Sequence, residues 1–168
     1  MVDTTMLVEY DPDWPRHFEA ERQRLLEALA EGVRRIEHIG STAVPGLRSK
    51  PIVDVLVVVG STENPQTIDE ALSSCGYRRI RRIGTRLFYG KGLEARPMCQ
   101  LHIVAESESE YLDTLTFRDL LRHDTQARRD YQDLKEHLMR RFPNDVESYS
   151  RGKTRFILEK LDRVAKQE

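Results

Sequence analysis

Cysteine, net charge and long apolar runs are all scarce in this chain, and each shortage removes a class of protein. Only two cysteines occur in 168 residues, Cys75 and Cys99, far apart and without metal-type spacing. A disulfide scaffold and a cysteine-built zinc knuckle are excluded, and both thiols read as reduced core residues. Lysine and arginine total 27 against 28 aspartate and glutamate, leaving a net charge of -1. No global field therefore draws the protein to nucleic acid or to an anionic membrane. The longest apolar stretch, Val55 to Val59, is far too short to span a bilayer. The opening residues contain Asp3 and no sustained apolar run, so the expectation is a cytoplasmic protein without a signal peptide. With no repeat, low-complexity segment or linker, a single domain over residues 1–168 is expected.

Several catalytic signatures are missing as well. Gly40 and Gly46 give the outline of a P-loop, but Leu47-Arg48 stands where Lys-Ser/Thr should follow. There is no pair of histidines at helical spacing and no Gly-x-Ser-x-Gly elbow. Ser41 lies near His38, yet no third member of a hydrolase triad can be assigned.

What is present centres on Ile39 to Pro51 running into Ile52-Val53-Asp54-Val55-Leu56-Val57-Val58-Val59. The second half reads as a buried strand, because apolar residues fill both alternating faces. Asp54 sits inside it, where a carboxylate costs several kcal/mol unless a metal, a cation or hydrogen bonds compensate. The small residues Gly40-Ser41-Thr42 before it let backbone amides approach an anion. Loop and carboxylate together suit a phosphate-and-metal site; an Asp satisfied by loop amides is the structural alternative.

Periodicity lays out the rest. A short strand is expected at residues 6–10. A helix follows, capped by Asp13, started by Pro15, burying Trp14, Phe18, Leu25 and Leu29, and stopped by Gly32. Strands are expected at 34–39, 51–59, 77–83, 86–89 and 98–105, with a helix from Asn64-Pro65 to Gly76. The run Arg78-Arg79-Ile80-Arg81-Arg82, with Arg86, is either a charged strand edge or an anion site. In the last strand Cys99, Leu101 and Ile103 share one face, and Gln100, His102 and Val104 the other. From Glu108 the period is helical, giving helices at 108–122 (capped by Ser107 or Ser109), 124–141 and from about 145. The expected architecture is α/β: a mixed sheet with flanking helices over residues 1–106 and a helical cap over 107–168.

Gly-Ser followed by a carboxylate on the next strand is the nucleotidyltransferase pattern. There the loop holds triphosphate oxygens and strand carboxylates hold Mg²⁺ between phosphates and the attacking hydroxyl. Gly40-Ser41 and Asp54 match, whereas Leu56 occupies the second carboxylate position.

The resemblance then narrows. Glu37-His38-Ile39-Gly40-Ser41-Thr42-Ala43-Val44-Pro45-Gly46-Leu47 followed by Lys50-Pro51-Ile52-Val53-Asp54 resembles the GrpB family. So do Leu101-His102-Ile103-Val104, Phe117-Arg118-Asp119-Leu120-Leu121-Arg122 and the tail bearing Tyr131, Lys135, Phe142, Tyr149, Lys153 and Phe156. Asp124 departs from a family proline. The resemblance implies a nucleotidyltransferase-like fold with a helical C-terminal part, no settled reaction, and in some members fusion to dephospho-CoA kinase. It puts Gly40 and Ser41 on the anion loop and Asp54 on the remaining strand carboxylate. His102 falls where related transferases place a further carboxylate, as metal ligand, proton acceptor or simply a hydrogen-bonded strand histidine. Lys50, Arg118, Lys135 and Lys153 are candidate phosphate ligands, each with a surface or ion-paired alternative.

Two functions follow. One is Mg²⁺-dependent transfer of a nucleotidyl group to, or action on, a small phosphorylated molecule, with Asp54 and His102 as catalytic and metal-binding residues. The other is a nucleotide- or coenzyme-binding module, or an accessory domain for a partner such as a CoA-pathway kinase. A purely structural partner domain leaves Asp54 and the loop unexplained.

Overall fold

The computed structural model describes residues 6–92 and 98–166. Helix α1 (Trp14–Leu29) is followed by β1 (Val33–Ile39), β2 (Ile52–Val59), α2 (Pro65–Ser73), β3 (Arg78–Ile83), β4 (Arg86–Lys91) and β5 (Met98–Ala105). Three helices, α3 (Tyr111–His123), α4 (Thr125–Arg141) and α5 (Val146–Ala165), complete the chain. The strands form one mixed sheet in the order β1-β2-β5-β4-β3. Only β2 and β5 run parallel; the other neighbours are antiparallel.

β2 lies inside this sheet, which is why both its faces are apolar. Val53, Val55 and Val57 join Leu101, Ile103, Leu87 and Tyr89 in a core closed by Trp14, Leu25 and Leu72 from α1 and α2. Each such buried side chain contributes about 1.5–3 kcal/mol. On the opposite face Leu56 and Val58 pack with Ile39, Val104 and Leu115 beneath α3. A third cluster, Val44, Leu47, Phe117, Leu121 and Tyr131, fastens the α3–α5 unit to the loop before β2. Gly152 lets α5 approach α4, since a Cβ there would lie 2.5 Å from Leu138 Cδ2.

The expected elements form, with four local differences. Residues 6–10 make only an isolated bridge, Val8 to Ser49, because no strand runs alongside. α3 starts at Tyr111, one turn later than expected, and no side chain caps it. Asp13 likewise caps nothing; its carboxylate pairs with Arg16 at 2.9 Å. β4 continues through Gly90 to Lys91, past the expected turn. Asp124, the departure from the family proline, caps α4 by accepting from Ala127 N at 2.9 Å. Both cysteines are free thiols. Among the described residues no helix is long and apolar enough to cross a membrane.

Candidate functional site

Gly40 ends β1 with φ +71 and ψ -170, a backbone state essentially confined to glycine. Its bare Cα lies against the next strand: a Cβ built there would run into Asp54 Oδ2. Ser41 to Ala43 then make a single 3₁₀ turn. Three elements clamp this turn. His38 Nε2 lies 3.0 Å from Thr42 Oγ1, which in turn donates to Ile52 O at 3.2 Å. That order of donors requires His38 to carry its proton on Nε2, and burial pushes its pKa down to about 4, keeping the ring neutral. Arg122 Nε donates to Ala43 O at 2.8 Å from α3. Lys135 on α4 donates to Ser41 Oγ at 3.1 Å and also to Arg48 O.

Asp54 follows on β2, half-buried instead of enclosed, because its side chain faces an open cavity. The cavity has a volume of about 580 Å³ and lies between the sheet, the loop and helices α3–α5, within the range of small-molecule sites. The partner of Asp54 is His102 on β5, with Oδ1 to Nε2 at 3.4 Å. An ionised carboxylate only accepts, so His102 Nε2 is the donor, and in the neutral tautomer that does this the lone pair is on Nδ1.

Lysines from three separate elements line the same cavity: Lys50 before β2, Lys135 on α4 and Lys153 on α5. Lys50 and Lys153 lie 4.8 and 4.6 Å from the ring centre of buried Tyr149. Lys135 is almost fully enclosed. Burial brings its pKa down to about 7, helped by Lys153 and Arg48 and opposed by Glu136. Burial also lowers Lys50 and Lys153, with Asp54 opposing the shift at Lys153. None of the three forms an ion pair with a carboxylate among the described residues. With Arg81, Arg86 and Arg118, six cationic side chains line one cavity with two carboxylates, Asp54 and Asp113. Such an imbalance suits an anionic ligand.

Not every candidate points at this cavity in the expected way. Arg118 borders it, but its guanidinium is taken by Glu37 at 2.8 Å, Asp119 at 2.8 and 3.0 Å, and His38 O at 2.9 Å. It is a fastener between α3 and β1. Thr42 spends its hydroxyl on the loop clamp. Leu56, in the second carboxylate position, is core. Among the described residues no group of three histidine, cysteine or carboxylate side chains is placed to hold a metal. Magnesium is commonly held by one or two carboxylates plus substrate phosphates and water, which Asp54 fits; imidazole is a poor match for it. Arg81, Arg86, Phe88, Asp113 and Tyr149 also line the cavity, and no role there was read from the sequence for any of them except the ambiguous arginine run.

Residues 4–163 match the sequence model of the GrpB protein family. A UPF0157 protein of Pseudomonas aeruginosa is 38% identical over 165 residues, spanning 96% of this chain and 68% of the relative. A dephospho-CoA kinase of Mycolicibacterium paratuberculosis is 28% identical over 170 residues, which is 85% of this chain but 42% of the kinase. The crystal structure of conserved protein GrpB from Enterococcus faecalis superposes with a TM-score of 0.84 at 32% identity, covering 96% of this chain and 98% of that one. The Cid1 poly(U) polymerase with Mg 3'-dATP bound superposes with a TM-score of 0.57 at 14% identity, covering 89% of this chain and 50% of the polymerase. The second likeness is one of fold: a nucleotidyltransferase-like sheet with flanking helices and a helical C-terminal part. With the family match running almost from end to end, the chain belongs to the GrpB family.

Proposed function

We propose that this cavity binds the phosphates of a nucleotide, or of a phosphorylated small molecule, and transfers a nucleotidyl group to an acceptor hydroxyl. The observation that carries the reading is three lysines, without carboxylate partners among the described residues, lining one cavity with Ser41 and Asp54, Lys135 in contact with Ser41. Lys50, Lys135 and Lys153 neutralise phosphate oxygens, and Ser41 Oγ adds a hydrogen bond. Asp54 is the residue that would hold Mg²⁺, which supplies charge neutralisation to the phosphates when bound. His102, steadied by Asp54 at Nε2, takes the acceptor proton on Nδ1. The acceptor oxygen bonds to the α-phosphorus, the bond from that phosphorus to the bridging oxygen breaks, and pyrophosphate leaves with the bonding pair. Free cysteine thiols fit a reducing, cytoplasmic setting.

A second reading, a nucleotide- or coenzyme-binding module without turnover, is favoured by Leu56 where a second carboxylate would strengthen metal binding. Such a module can act alone or serve a partner enzyme, as the partial likeness to a dephospho-CoA kinase suggests.

Asp54→Asn separates the readings. Under the transfer reading, Mg²⁺ tightens ATP binding to the wild type, and the variant loses that increment while keeping its fold. Pyrophosphate release falls by about a hundredfold or more, the scale seen when one electrostatic contact to a reacting group is removed. An Mg²⁺ increment that persists in Asp54→Asn contradicts the metal role. ATP binding with no pyrophosphate release from wild-type protein, across a panel of hydroxyl acceptors, favours the binding module.

A further inference from the structure

Two arginines remain unexplained at the opposite side of the cavity from the lysines. Arg86 opens β4 and lines the cavity, yet its Nε is buried without a hydrogen-bond partner among the described residues. The carboxylate paired with it among those residues is Glu110, 3.7 Å from its Nη2 and mostly in water. Arg81, on the facing strand, has no carboxylate partner among the described residues; its guanidinium lies 4.6 Å from the ring centre of Phe88. Arg81 is exposed on β3, so the shielded donor is that of Arg86. Arg48 Nε is likewise buried without a hydrogen bond but has Glu9 Oε1 at 2.9 Å, and buried Arg118 is paired with Glu37 and Asp119. A guanidinium donor shielded from water and left unpaired is costly, and an anion taking that donor removes the cost.

Strand order gives this pair its place. β4 and β3 lie beyond β5, so Arg81 and Arg86 enter from the side of the sheet away from the loop before β2. Between the arginines and the lysines lie the reacting side chains. Phe88 pairs in register with His102, and their rings meet edge-on at 5.2 Å. One anionic group at the lysines and another at the arginines therefore flank Asp54 and His102 from opposite sides.

We infer that Arg81 and Arg86 form a second anion seat, which holds the phosphate or carboxylate of a small hydroxyl-bearing acceptor and turns its hydroxyl towards His102. The inference rests on the transfer reading for the acceptor's role, but the seat itself does not. A cation–π contact uses the face of a guanidinium and not its in-plane donors, so the contact of Arg81 with Phe88 is compatible with bidentate binding of a carboxylate or phosphate. The donated proton and the displaced pyrophosphate go where the proposed transfer sends them, so no further reactant is needed.

Pyrophosphate titrated calorimetrically into the full chain tests the seat. The wild type should show two sites. Arg86→Gln and Arg81→Gln should each weaken one of them about tenfold or more, without lowering the thermal midpoint of the free protein. Lys153→Met should weaken the other. Identical isotherms for wild type, Arg81→Gln and Arg86→Gln overturn the proposal. Loss of binding in the arginine variants with no effect of Lys153→Met would leave the arginine seat standing and remove the lysine reading. The acceptor role is tested with ATP at saturation: glycerol 3-phosphate and glycerate distinguish a phosphate seat from a carboxylate seat. At least one should bind the ATP complex and be lost in Arg86→Gln; if neither binds, the acceptor assignment fails. Arg86→Lys, which keeps the charge but not the planar fork, should recover only part of the affinity.

Discussion

Gly40→Ala should destabilise the protein by about 2–6 kcal/mol, combining a glycine-only backbone state with overpacking, and should abolish ligand binding. The added Cβ meets the Asp54 carboxylate, on backbone of the neighbouring strand that is locked into both its partners. Asp54 cannot retreat without breaking its approach to His102. Against a total margin of about 5–15 kcal/mol, that is a large fraction. Gly46→Ala is the control: Gly46 also has positive φ, at +78, but open space surrounds its Cα. Urea midpoints at unchanged m-value should therefore fall further for Gly40→Ala than for Gly46→Ala. Equal losses would show that backbone conformation, and not contact with Asp54, dictates glycine at position 40.

Lys135→Met should separate stability from binding. In the free protein the substitution removes two hydrogen bonds but also a cation whose burial is unfavourable, so stability should move by no more than about 1–2 kcal/mol. Affinity for ATP should fall about tenfold to a hundredfold, the worth of one charge-assisted contact. The pH dependence has a definite sign. The folded pKa of Lys135 is about 7, below its ordinary 10.5. Between these values the unfolded chain binds more protons, so the Lys135 contribution to stability rises with pH. An anion prefers the ammonium form, so ATP affinity should instead weaken as pH rises above about 7. Measured above pH ~7.5, where phosphate groups with second pKa about 6 are already ionised, the residual slope belongs to the protein. Lys153, shifted in the same direction, adds to it. Calorimetry in buffers of different ionisation enthalpy should show proton uptake by the wild type and less by Lys135→Met. Equal uptake in both would assign the titration elsewhere.

The sheet was legible in the sequence because its strands carry local signals. β2 is apolar on both faces, β5 alternates, and glycine or proline punctuates most of the ends. Capping was read less well, because Asp13 found a partner in Arg16 and Asp124 took the cap that a family comparison left unassigned. At the site, Gly40, Ser41 and Asp54 stood out, since a small polar loop feeding an apolar strand with a carboxylate is a local pattern. The enclosure of Lys135 was also encoded: it lies four residues after Tyr131 and three before Leu138, on the stripe that α4 buries. Its charge argued for the surface, and the stripe prevailed. Arg118 sits similarly between Leu115 and Leu121. By contrast, the placing of Arg81 and Arg86 beside His102 depends on β5 inserting between β2 and β4. Strand order is set by packing across the whole sheet, and no local pattern near the arginines specifies it.

The most direct measurement is a thermal-shift series with the four common nucleoside triphosphates, coenzyme A precursors and phosphosugars, each with and without Mg²⁺. A ligand that binds only the native state raises the midpoint by mass action, by about 2.7 kcal/mol of added stability at a hundred times its Kd. The account predicts a concentration-dependent rise with at least one triphosphate, larger with Mg²⁺ and reduced in Lys135→Met and Lys153→Met. No rise with any phosphorylated compound up to millimolar concentrations would contradict it.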